Sequence, residues 1–354
     1  MKIFEKIRKL LDQWIPNPQQ SVLNKIKKAI LFPIAMIKVM TSKFYKEEIK
    51  VEKETVEKTE LESKEIPTEK LNFITTSMLN NTIYKNISKI PKDVDLIVGI
   101  PRSGLLVANL ISLYLNVKLT DLEGLKENRI FSKGLTSRCN NEIDSIDQCR
   151  KILIVDDSVF NGTAIENVKK ELANFPCKDK LIYMTVYTTE QGKNKVDMYF
   201  EICNPPRIFE WNLMRHNLLE RCCFDIDGVL CEDPTYEQNL DETKYDEFLK
   251  NATPLFLTNK KIGHLVTSRL EKNRKLTEQW MRENGIEYGN LKMMPYKNRE
   301  ERMQANNHAE HKAEYYKNVD ALLFVESSKV QAIKIAQIAH KPVFCIETQE
   351  IING

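Results

Sequence analysis

ILIVDDSVFNGTA, residues 152–164, is the stretch that decides how this chain reads. Ile152, Leu153, Ile154 and Val155 are four consecutive apolar residues, the pattern of a strand buried on both faces of a parallel sheet. They run into two adjacent acids, Asp156 and Asp157, and then a short polar turn from Ser158 to Thr163. A helix is expected from near Ala164 (AIENVKKELANF). Strand, loop and helix N-terminus in that order cradle a phosphate through backbone N–H groups and the helix dipole. Acids at the rim suit sugar hydroxyls or an attached metal ion. The plainer alternative is a parallel strand whose end acids cap the next helix.

The string of four hydrophobic residues followed by D-D-S-hydrophobic-x-x-G-T resembles the phosphoribosyl pyrophosphate (PRPP) fingerprint of type I phosphoribosyltransferases. The resemblance implies that Ser158, Asn161, Gly162 and Thr163 belong to the loop that holds the 5-phosphate. It implies that Asp156 and Asp157 bind the ribose hydroxyls with magnesium nearby. About fifty residues upstream, the strand Asp95–Ile100 ends in Pro101, Arg102, Ser103 and Gly104. That turn resembles the family's pyrophosphate loop, with Gly104 allowing close backbone approach and Arg102 adding charge; an ordinary tight turn is the alternative. The polar, basic run 126–138 (KENRIFSKGLTSR) lies where family members fold a flexible loop over the site. Lys126, Arg129, Lys133 and Arg138 are therefore candidate pyrophosphate ligands, against a simple solvated loop. No base-recognition signature for an acceptor is present.

A second strand end carries different chemistry. CCFDIDGVLCEDPT, residues 222–235, runs from apolar residues into Asp225, Asp227 and Gly228. Acids at i and i+2 share a strand face unless the chain turns between them, and Gly228 permits that turn. The string resembles the first motif of haloacid dehalogenase-like (HAD) phosphatases. Companion segments follow in order: LVTSR at 265–269, offering Thr267; HKAEYY, offering Lys312; and LLFVESS at 322–328, ending in Glu326. By resemblance Asp225 is the nucleophile and Asp227 the proton donor. Thr267 and Lys312 would stabilise the phosphoryl oxygens, and magnesium would be held by Asp225, Asp227 (through its carbonyl) and Glu326. Many members have two adjacent acids in the last motif, whereas here Ser327 and Ser328 follow Glu326, which implies weaker metal binding. Only about forty residues separate Asp225 from Thr267 and about forty-five separate Thr267 from Lys312, too few for a large lid. An open site suits a phosphate on something bulky.

A length of 354 residues accommodates two cores and an extension. The formal charge of +3 is small and its residues are mixed, which argues against a nucleic-acid binder. There is no eighteen-residue apolar run and no secretory h-region, so a cytoplasmic protein is expected. Eight cysteines without a C-x2-C pair read as reduced core residues. Residues 1–46 form two basic helical patterns containing Trp14. They read equally as a peripheral contact with the inner membrane face or as helices packing on the catalytic part or another copy, so a homo-oligomer is among the expected partners. Residues 47–69 read as a charged linker.

The expected fold is α/β: two Rossmann-like parallel-sheet domains, phosphoribosyltransferase-like over 70–205 and HAD-like over 222–354, joined by residues 207–221. The pairing resembles bacterial systems that install ribofuranose from PRPP in surface polysaccharides. It implies transfer of 5-phosphoribosyl to a glycan or lipid-linked sugar acceptor, then removal of the 5-phosphate. Two alternatives stand beside it: a nucleobase phosphoribosyltransferase fused to a nucleotidase, and a PRPP-sensing protein.

Overall fold

The apolar run at 152–155 lies in the middle of a five-stranded sheet, within a strand that continues through both acids. The computed structural model describes residues 69–131 and 143–354. The expectations for 1–46 and nearly all of 47–69, and the candidates Lys133 and Arg138, lie outside the described residues.

The first half runs β1 (Asn72–Ile74), α1 (Thr76–Asn86), β2 (Val94–Gly99), α2 (Ser103–Leu115), β3 (Lys118–Asp121) and α3 (Leu122–Lys126). It continues with β4 (Lys151–Val159), α4 (Thr163–Glu171), β5 (Leu181–Thr188), β6 (Met198–Ile202) and β7 (Arg207–Phe209). The sheet has the order β3-β2-β4-β5-β6 and every pairing in it is parallel. Along β4, Leu153 and Val155 enter the core that contains Val107, Ala108 and Ile111 of α2. Ile152 and Ile154 enter the opposite core, with Ile165 and Val168 of α4. Burial on both faces explains why the run is continuously apolar rather than alternating. The stretch 101–105, expected as a turn, is shorter than that: α2 already begins at Ser103.

The second half runs β8 (Cys222–Phe224), α5 (Tyr236–Leu240), α6 (Glu242–Asn251), β9 (Ile262–Leu270), α7 (Arg274–Glu283) and β10 (Tyr288–Met294). Then come α8 (Arg299–Ala305), α9 (His308–Lys317), β11 (Leu323–Glu326), α10 (Lys329–Ala339), β12 (Val343–Cys345) and β13 (Glu350–Ile352). Its sheet has the order β10-β9-β8-β11-β12-β13, parallel except for the β12–β13 pair. Between β8 and β9 only the short helices α5 and α6 intervene, in keeping with the spacing of the motifs.

Residues 69–354 form one compact unit, and the segment expected as a bridge is what joins its halves. Arg207–Phe209 pairs in parallel with Asn72–Ile74 as a two-stranded sheet. Successive strand residues point to opposite faces. Ile74 and Phe209 therefore pack into the first core, while Phe73 and Ile208 pack into the second. The Phe73 and Phe344 rings lie 4.9 Å apart.

Among the described residues no helix is long and apolar enough to cross a membrane. The seven described cysteines are free, and all but Cys177 are buried.

Candidate active sites

The first site assembles at the carboxyl end of β4. Gly104, in the first turn of α2, lies so close to this strand that a Cβ there would stand 2.7 Å from the Val155 carbonyl oxygen and 3.2 Å from the Asp156 Cα. Only glycine allows the Arg102–Gly104 turn to sit beside the acid pair. Asp157 is buried and Asp156 half-buried. Burial first, and the neighbouring Asp157 second, push the Asp156 carboxyl up to about 8. Two N–H donors converge on Asp157: Ser158 N at 2.8 Å on Oδ1 and the Trp211 indole at 2.8 Å on Oδ2.

The loop 158–163 is closed by its own side chains. Asn161 Oδ1 accepts from Thr163 N at 3.1 Å and from Thr163 Oγ1 at 2.9 Å, so Asn161 shapes the loop. Gly162 caps α4 with φ of 89°, a conformation that favours glycine. A Cβ there would also meet the stem of Lys195, whose ammonium pairs with Glu166 at 2.5 Å. Phe160 stands half-exposed beside the loop.

Two of the basic candidates are held in ion pairs away from the acid pair's own hydrogen bonds. Lys126 is bound to Glu123 at 2.6 Å and to Glu171, at the end of α4 opposite the loop. Arg129 sits on Asp121 at 3.3 Å and Glu127 at 3.4 Å. Near-neighbour carboxylates on α3 and its flanks capture both cations.

The second site lies at the carboxyl ends of β8, β9 and β11. The buried Lys312 ammonium, from α9, donates to Asp225 Oδ2 at 2.5 Å, Glu326 Oε2 at 2.7 Å and Gln331 Oε1 at 3.0 Å. All three of its hydrogens are thus directed at protein oxygens. Burial works against its charge, but the two carboxylates outweigh burial and hold its pKa above the ordinary lysine value. Burial pushes Asp225 up to about 7 despite Lys312, helped by Glu326 and Asp227. Thr267 is fully buried, and its hydroxyl accepts from Arg269 N at 3.2 Å.

The Asp227 carboxylate, expected as the proton donor, has a cationic partner. It lies on the fully buried Arg269, with Nη2 to Oδ1 at 2.6 Å and Nε to the two oxygens at 3.1 and 3.2 Å. Among the described residues no group of three or more His, Cys, Asp or Glu side chains is placed to hold a metal ion. The side chains of Asp225, Asp227 and Glu326 therefore do not form a ligand triad. What remains on the cation-facing side is Asp225, Glu326 and the Asp227 carbonyl, which accepts from Ser327 Oγ at 3.4 Å. Gly228 turns the chain here with φ of 72°, tight against Ser327 and Asp233. Asp233 is also raised, by burial first and Asp227 next. An excess of carboxylates pushed upward is the environment that a hard divalent cation relieves, and all three donors are oxygens.

Trp211, Arg207 and Arg269 were not singled out by sequence reading. Arg269 closes the LVTSR string and was within reach of that motif. Arg207 and Trp211 lie in what reads as a bridge, and only the β1–β7 pairing carries them to the site.

Residues 76–214 match the family model of the phosphoribosyl transferase domain. Among solved structures the chain is similar to the xanthine-guanine-hypoxanthine phosphoribosyltransferase of Helicobacter pylori: 16% identity, 41% of this chain, 99% of that one, TM-score 0.32. It is similar to a purine phosphoribosyltransferase from Pyrococcus horikoshii at 19% identity, covering 40% of this chain and 93% of that one, TM-score 0.29. A hypoxanthine phosphoribosyltransferase from Trypanosoma cruzi, in complex with IMP, gives 11% identity over 37% of this chain and 78% of that one, TM-score 0.26. No curated protein matches the chain. The match to the phosphoribosyl transferase domain thus spans β2 to β7, most of the first half of the compact unit.

Proposed function

We propose that this protein transfers the 5-phosphoribosyl group of PRPP to an acceptor hydroxyl, and that its second site then hydrolyses the 5-phosphate. The observation that carries the transferase reading is the acid pair at the end of β4, wedged against the Arg102–Gly104 turn through Gly104 and followed by the Gly162-capped helix. The loop 158–163 binds the 5-phosphate, and Asp156 and Asp157 orient the ribose. The acceptor oxygen bonds to C1 as the C1–O bond to pyrophosphate breaks, the electron pair leaves with pyrophosphate, and the hydroxyl proton passes to water. Positioning and charge do most of this work. Asp156 and Asp157 in the first site, and Asp225, Glu326 and the Asp227 carbonyl in the second, would hold magnesium, which would supply charge neutralisation.

The phosphatase reading is supported by the convergence of Asp225, Lys312, Glu326 and Thr267 at adjacent strand ends. Asp225 attacks phosphorus, the bond to the ribose oxygen breaks, and Asp227 supplies that oxygen's proton; water then cleaves the aspartyl phosphate and returns a proton to Asp227. Arg269 positions Asp227. The small insertion between β8 and β9 and the basic 1–46 extension favour a glycan or lipid-linked acceptor at the inner membrane face.

Mass spectrometry of products from PRPP, magnesium and a panel of sugar acceptors and nucleobases tests the scheme. Wild type should add an unphosphorylated pentose to a sugar, Asp225→Asn should accumulate the phosphopentosyl product, and Asp156→Asn with Asp157→Asn should add nothing. Pentosyl transfer to a nucleobase alone would replace the glycan acceptor, and loss of transfer in Asp225→Asn would sink the two-step scheme.

A further inference from the structure

A cleft of about 670 Å³ opens beside the acid pair, lined on one side by Arg102, Ser158 and Phe160 and on the other by Arg207, Arg215 and His216. Its charge is unusual. Arg207 is only 8% exposed, and its guanidinium is flanked by the Phe160 and Phe209 rings at 5.4 and 5.2 Å. Its hydrogen bond to protein goes to the Cys203 carbonyl at 3.1 Å, and among the described residues no carboxylate forms an ion pair with it. A guanidinium does not give up its proton, so its remaining donors meet the cleft as charge. Asp157 favours this charge from a distance, but its two oxygens are taken by Ser158 N and Trp211, so no carboxylate among the described residues closes a contact pair on the desolvated guanidinium.

The neighbours repeat the theme. His216 Nδ1 accepts from Leu218 N at 3.1 Å, so the ring carries its proton on Nε2 as a donor. Arg215 is exposed and holds only long contacts, to the Leu257 carbonyl at 3.3 Å and Asn259 Oδ1 at 3.4 Å. The acid at the rim, Glu69, is already paired with Arg221. The segment that supplies Arg207 and Arg215 also supplies Trp211, which is bonded to Asp157. The cleft therefore adjoins the acid pair.

We propose that this cleft binds the acceptor, and that the acceptor is an alcohol carrying a phosphate or pyrophosphate ester, bound by Arg207, Arg215 and His216. This rests on the transferase reading above. Planar forked donors match phosphate oxygens, and an uncharged base offers nothing to neutralise Arg207. The same chemistry is presented by a soluble phosphate ester and by a lipid-linked pyrophosphate.

Calorimetry on the full chain held at saturating PRPP and magnesium tests this, with glycerol 3-phosphate, farnesyl diphosphate, glycerol and adenine as probes. At least one phosphorylated probe should bind alongside PRPP, and Arg207→Gln and Arg215→Gln should each weaken it tenfold or more without moving PRPP affinity. Which probe binds separates the soluble from the lipid-linked source. Retained PRPP binding certifies the fold of each variant, and Arg215→Gln decides if Arg207→Gln does not fold. The proposal is overturned if both phosphorylated probes compete with PRPP or fail to bind, or if adenine alone responds to the two arginines. Failure of wild type to bind PRPP would instead overturn the transferase reading, and the acceptor assignment with it.

Discussion

The Trp211 indole donates to Asp157 Oδ2 at 2.8 Å across 54 residues of sequence. Trp211 also stacks on Phe209, ring centroids 5.1 Å apart, and Phe209 is locked by the β1–β7 pairing into the first core. The segment linking the two halves thus orients one acid of the pair at the end of β4.

Trp211→Phe keeps the stacked ring and deletes the N–H. A hydrogen bond to a charged group contributes about 1.5–3 kcal/mol. PRPP affinity by calorimetry should fall about tenfold or more, while the thermal midpoint changes little. Unchanged affinity would mean that Trp211 only fills space.

Asp156 gives a stability signature. Its pKa is raised on folding, so its contribution to stability is fully present below about pH 4 and is lost as pH rises through about 8. The ligand-free protein should therefore lose stability across that window on account of this group. Asp156→Asn should flatten that part of the pH profile and raise the melting temperature at pH 8, while abolishing PRPP binding. Parallel profiles for variant and wild type would refute the burial argument.

Gly104→Ala introduces a Cβ into the space already taken by the Val155 carbonyl and the Asp156 Cα. Backbone must shift, at a cost of about 1–3 kcal/mol by the usual measure of overpacking. Chemical denaturation should show that loss. PRPP binding should fall further than stability does, because the displaced atoms belong to the proposed ribose-binding acids.

Lys312→Met leaves Asp225 and Glu326 buried beside each other without a cation. Removing one partner of a buried ion pair costs about 3–5 kcal/mol. Denaturation should show this loss, with magnesium recovering part of it, if the two carboxylates are free to hold the ion. No response to magnesium in the variant would remove the cation from the second site.

Much of the site chemistry was legible in short strings, because each is local: an apolar run decides a doubly buried strand, and the acids that end it fall at the ligand-bearing edge of a parallel sheet. Ile152–Val155 lies in a doubly buried strand, and Asp225 and Glu326 fall at the ends of β8 and β11, whereas β4 runs on through Asp156 and Asp157 and β9 runs on past Thr267. Side-chain partners at long range were not legible. Lys126 and Arg129 looked equally available in sequence, yet their neighbours on and around α3 and α4 bind them first. The Asp227 carboxylate read as a proton donor, and nothing in the string showed that tertiary packing brings the guanidinium of Arg269 onto it. Residues 207–216 read as a connector, since three strand residues carry no periodic signal. Only pairing with β1 turns them into the wall of the first site, because a parallel partner 135 residues away, as Asn72 is from Arg207, is a matter of topology and not of pattern.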